Sequence, residues 1–149
     1  MGAGGIGGGR RRSRAFIVGS VSVVLLVGLT VFLFLYPVPT TATDRASFAI
    51  PLPYVTSDVE CHTLTLSHGG SLSFVVTFSN GDVTILTVRG PANVTEFRES
   101  SNTSVAGTVN GVTLGSYGFC LSVPQNYTYE GGLAFVNATL SYPTAAPIL

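Results

Sequence analysis

Ser71–Ser79 reads S-L-S-F-V-V-T-F-S. Leu72, Phe74, Val76 and Phe78 are apolar, and apart from Val75 the residues between them are Ser or Thr. That two-residue period is the pattern of a strand with one face in a core and one in water. Asn80-Gly81 follows, and then a second β-prone run, D-V-T-I-L-T-V at 82–88. An Asn-Gly pair between two such runs predicts a hairpin. The pattern recurs at S-V-A-G-T-V, Asn110-Gly111 and V-T-L. Further runs at 60–66, 94–98, 116–123 and 133–142 bring the count to about seven. None of them carries a helical period. The expected fold is all-β, an antiparallel β-sandwich of about seven strands over residues 54–142.

Toward the N-terminus, residues 37–53 hold four prolines and no clear period, and read as a Pro/Thr-rich stalk. Residues 15–36, AFIVGSVSVVLLVGLTVFLFLY, contain no charge, Asn, Gln or Pro. A helix of that length spans about 33 Å, enough for a ~30 Å hydrocarbon core. Ser20, Ser22 and Thr30 can bond back to helix carbonyls, and Tyr36 stands where an interfacial aromatic is expected. The segment is expected to be an N-terminal transmembrane α-helix, a retained signal anchor. Residues 1–14 form a Gly/Arg-rich tail with Arg10, Arg11, Arg12 and Arg14, and residues 143–149 a short C-terminal tail.

The whole chain has a formal net charge of +0, yet the charge is unevenly placed. Four Arg precede the apolar run, and beyond it three Arg face seven acidic residues. By the positive-inside rule the N-terminus is cytoplasmic and the C-terminal domain extracytoplasmic, in a single-pass arrangement at the cell membrane or an endomembrane. The charge balance excludes a basic nucleic-acid binder. The absence of Lys excludes phosphate-loop and Schiff-base lysines. Only 9% of residues are charged against 46% hydrophobic, which excludes a solvated disordered chain.

Cys61 and Cys120 are the two cysteines, both in the outer domain, where disulfides form. Each stands on the small-residue or Thr face of its strand, so a bridge should join two strands of one sheet, outside the core. Four N-x-[ST] sequons, at Asn93, Asn102, Asn126 and Asn137, mark candidate glycosylation sites and agree with an outer domain.

Glu60-Cys61 and Gly115-Ser116-Tyr117-Gly118-Phe119-Cys120 together resemble the paired signature of GOLD domains, lumenal β-sandwiches of cargo adaptors in which these two cysteines are joined. The final run GLAFVNATLSY is similar as well. The resemblance implies a module that binds proteins; in eukaryotic members the anchor follows the domain, whereas here it precedes it. Arg14-Ala15-Phe16-Ile17-Val18 resembles the processing site of archaeal type IV pilin-like precursors, which implies a filament subunit as the alternative.

Asp58, Glu60 and His62 alternate along one strand face and are the candidate metal or redox cluster, the second alternative. His68, before Gly69-Gly70, reads as a turn residue. No nucleophile elbow exists, and Cys120 has no His or Met after it, which excludes a blue-copper site. Neither catalytic residues, a cofactor nor a small-molecule substrate is expected. The expected partners are the membrane and other membrane or envelope proteins.

Overall fold

The computed structural model describes residues 9–36, 38–55, 58–124 and 131–146, with the side chains of the N-terminal helix described from Ser20 on. The chain divides into two compact units, one containing helix α1, Gly9–Leu35, and the other, Thr41–Thr144, containing the sandwich. Along α1 the apolar side chains from Val21 to Leu35 are exposed apart from the half-buried Leu33; Val24 and Leu35 are each 70% exposed. Thr30 Oγ1 donates to the Leu26 carbonyl at 2.8 Å, the local bond expected of a hydroxyl in an apolar helix. Among the described residues, no helix is long and apolar enough to cross a membrane.

Among the described residues, eight strands make up the sandwich: β1 Val38–Pro51, β2 Val59–Leu66, β3 Gly70–Phe78, β4 Thr84–Arg89, β5 Thr95–Ser101, β6 Ser104–Val112, β7 Gly115–Ser122 and β8 Leu133–Ala146. They lie in two four-stranded antiparallel sheets, ordered β1-β8-β3-β6 and β2-β7-β4-β5. This is the strand order of a jelly roll. The sandwich expectation holds, with one strand more than expected.

That strand is β1. Residues 38–51 pair beside β8 and do not form a free stalk. Pro39 and Pro51 stand at the two ends of an edge strand, where a missing N–H costs no ladder bond. Ala42, Ala46, Phe48 and Ile50 are its more buried positions, with period two.

β3 pairs with β6 and β8, and β4 with β5 and β7, so Asn80-Gly81 carries the chain from one sheet to the other and closes no hairpin. Gly81 has φ +74° and Gly111 φ +69°, so the left-handed backbone that Asn-Gly favours is present at both sites. Gly111 lies within β6, ahead of a second crossing into β7. Of the consecutive strands, β4 and β5 are neighbours in one sheet.

The core lies between the sheets. Leu72, Phe74, Val76 and Phe78 of β3 are buried, as the opening pattern requires, and they face Leu86, Val88, Phe119 and Leu121 from the other sheet. Four phenylalanines alternate between the sheets: Phe48 meets Phe119 at 5.5 Å, Phe119 meets Phe74 at 5.4 Å, and Phe74 meets Phe97 at 5.1 Å. All three contacts are edge-to-face, with interplanar angles of 74°, 90° and 84°, the arrangement favoured by the ring quadrupole. The Tyr117 phenol is buried and accepts the Thr113 N–H at 3.0 Å, and the buried Thr84 hydroxyl donates to the Asp82 carbonyl at 3.3 Å.

Gly70 starts β3 at a register irregularity against β6. A Cβ there would run into the Ser141 carbonyl of β8. We predict that Gly70→Ala destabilises the fold by about 1–3 kcal/mol, because the obstacle is backbone within a ladder. A thermal melt that matches wild type would show that the two strands part there without cost.

Candidate functional site

Cys61 and Cys120 stand directly opposite each other on β2 and β7, with Cα atoms 4.1 Å apart, and form a disulfide. Their positions follow from the strand period. Leu64 and Leu66 of β2 and Tyr117, Phe119 and Leu121 of β7 pack into or against the core, which turns Cys61 and Cys120 to the outer face of that sheet. The bridge joins two strands of one sheet, as expected. Cys61 is exposed, whereas Cys120 is 6% exposed although it is not part of the core cluster.

The disulfide lines a recess of about 480 Å³, together with Thr63, Ser116, Arg89 and the turn Pro91–Asn93. The local backbone sets this shape. A register shift between Val88 and Arg89 marks the end of β4, and bulges of this kind re-aim the side chain that follows. Ala92 and Asn93 are both left-handed, with φ of 64° and 63°, a conformation costly for Ala. The turn is held by Asn93 N–H donating to the Gly90 carbonyl at 3.1 Å and Gly90 N–H donating to the Val94 carbonyl at 2.8 Å. Arg89 Nη1 donates to Asn93 Oδ1 at 3.2 Å, while its Nε is buried without a partner. Nothing in the sequence marked Arg89; only the fold brings it beside the disulfide.

Among the described residues, the lining carries one charged side chain and no carboxylate, imidazole or free thiol. It can hold hydrogen-bond acceptors through the guanidinium and two hydroxyls. It has no paired acid and base.

The sequons separate in space. Asn93 is exposed in the recess turn, Asn102 is exposed in the link from β5 to β6, and Asn137 is exposed on the outer face of β8, where its Oδ1 accepts the Ser47 hydroxyl at 2.7 Å. Asn126 lies outside the described residues.

Glu60 and His62 lie two apart on β2, but with Asp58 they do not come together as a metal site among the described residues. Asp58 precedes β2, and the His62 ring stacks on Phe48 at 4.1 Å. Among the described residues, no group of three or more His, Cys, Asp or Glu could hold a metal ion. His68 is in the β2–β3 turn, as expected, and the fold gives it partners: Ser67 Oγ at 2.9 Å and the Tyr142 ring, stacked at 4.0 Å. The Tyr142 hydroxyl donates to Asp44 at 3.5 Å. Its phenol is held above the usual tyrosine value, first by loss of surrounding water and then by the Asp44 carboxylate. Nearby, between edge strands β1 and β2, a cavity of about 190 Å³ opens among Leu64, Leu66, Leu72 and Leu140.

No family model matches the chain, and no curated protein matches it. Among solved structures it is similar to PliG of Aeromonas hydrophila, a periplasmic inhibitor of g-type lysozyme, at 15% identity over 68% of this chain and 86% of that one, with a TM-score of 0.40. It is similar to the CBM36-1 domain of a multidomain xylanase from the hindgut metagenome of Trinervitermes trinervoides, at 12% identity, with 68% and 96% of the two chains covered and a TM-score of 0.40. A third likeness is to a Bacillus endospore appendage protein of disulfide-linked pili, at 14% identity, with 69% and 89% covered and a TM-score of 0.43. At these identities and scores the likenesses bring no function with them.

Proposed function

We propose that this chain is a single-pass membrane protein that holds a disulfide-stapled β-sandwich outside the cytoplasm as a non-enzymatic protein-binding module. The observation that carries the reading is the cross-strand pair Cys61–Cys120, since such bridges persist in oxidising compartments. The anchor is residues 15–36, an uncharged run preceded by four arginines. The described part of helix α1, with most of its apolar side chains from Val21 to Leu35 exposed, supports it, because such a surface needs a protein core or lipid to cover it. The recess beside the bridge offers a guanidinium and two hydroxyls to hydrogen-bond acceptors, which supports a binding role. The motif residues shared with GOLD domains, Cys61 and Cys120, support the same class of partner, a protein.

Protease treatment of intact cells tests the topology. Residues 54–142 should be lost or should shift in mass, and their survival while known surface proteins are stripped would reject the reading. Glycan-removing enzyme should lower the mass of the protein through exposed Asn93 or Asn102 when it is made in a cell that glycosylates; an unchanged mass removes the sequons as support for the reading. Sequencing the N-terminus separates the filament alternative. A mature chain that starts at Phe16, after Arg14-Ala15, would favour a pilin-like subunit, and one that starts at Met1 or Gly2 favours the anchor.

A further inference from the structure

The four edge strands differ in how they are guarded. β1 has Pro39, Pro51, Asp44 and Arg45; β2 has Glu60; β5 has Glu96, Arg98 and Glu99. Charges and prolines are the usual means by which an edge avoids pairing with another chain. β6, Ser104–Val112, ends the first sheet with neither.

The sequence of β6 is also close to a palindrome. Val105-Ala106-Gly107-Thr108-Val109 reads nearly alike in both directions. If β6 pairs antiparallel with itself about Gly107, Val105 falls opposite Val109 of the second copy, and Ala106 opposite Thr108. The faces agree, because Val105 and Val109 are buried while Ala106 and Thr108 are exposed. Opposed β-branched residues and the absence of opposed charges are what a stable cross-strand register requires. The outer side chains are already ordered. Thr108 Oγ1 lies 3.1 Å from Ser73 Oγ, and the Ser71 hydroxyl donates to Asn110 Oδ1 at 2.8 Å.

We propose that a second copy of this chain adds to the β6 edge, antiparallel about a two-fold axis at Gly107, joining the two first sheets into one continuous sheet. The operator uses up both β6 edges, so assembly stops at two. Asn102 lies before the paired stretch 104–110 and stays outside it. The proposal does not depend on the membrane reading, since it concerns only the sandwich.

Sedimentation equilibrium of the full chain in detergent tests it, with two double variants at the exposed positions 106 and 108. Wild type should show a concentration-dependent dimer. Ala106→Lys with Thr108→Lys opposes like charges twice and should weaken the dimer by about tenfold or more. Ala106→Lys with Thr108→Glu opposes unlike charges twice and should restore it. Both variants lose the Ser73 contact equally, so their difference reports the pairing alone. Wild type that stays monomeric, a dimer indifferent to the Lys/Lys pair, or a Lys/Glu pair as weak as Lys/Lys would each overturn the proposal.

Discussion

Phe119→Ala is expected to remove about half of the stability of the sandwich. The side chain is wholly buried and links Phe48 to Phe74, both from the opposite sheet, so its loss empties the middle of the aromatic series. Removing a buried Phe costs about 3–5 kcal/mol, and a domain of this size has about 5–10 kcal/mol in all. Phe97→Ala should cost less, because Phe97 is only half-buried and touches Phe74 alone within the series. Urea unfolding of the full chain, followed by tyrosine fluorescence because there is no Trp, reads both variants. Equal losses for Phe119 and Phe97 would show that the series does not set the packing.

The second large effect is expected from Cys61→Ser combined with Cys120→Ser. The bridge closes a loop with a sequence separation of 59, and its removal should cost about 2–5 kcal/mol, chiefly by freeing the unfolded chain. The lowered urea midpoint should come without a change in helix α1, whose hydrogen bonds are local. Neither thiol should accept an alkylating reagent before reduction. Modification of either cysteine in the native, unreduced protein would mean that the bond does not form, and the compartment argument built on it would fail.

The alternation in Ser71–Ser79 was enough to identify β3 and its buried face, because period two is set by the pleat and needs no partner to be recognised. The disulfide followed in the same way from the faces of β2 and β7. β1 was hidden for a physical reason. Its inward positions include Ala42 and Ala46, too small to stand out, and its prolines, which read as breakers, sit harmlessly at an edge. The Asn-Gly pairs fixed the local backbone but not the sheet that receives the next strand. A left-handed Gly turns the chain equally well into a hairpin or across a sandwich, and the choice rests on burial far away in sequence. The recess was illegible for a similar reason: Arg89 and Ser116 are distant in the chain and meet only because β4 lies beside β7.

The position of the bridge also decides how the protein would answer a mechanical load. β1 and β8, through which the chain enters and leaves the sandwich, are neighbours in one sheet, so tension between the chain ends would be borne first by their pairing. Once they part, further stretching meets a covalent stop, because Cys61 and Cys120 short-circuit everything between them. At about 3.5 Å per extended residue, a separation of 59 withholds roughly 200 Å of contour length from the pull. Under tension the molecule would act as a short tether with a shielded core, lengthening by its outer strands while β3 to β6 carry none of the force along the chain.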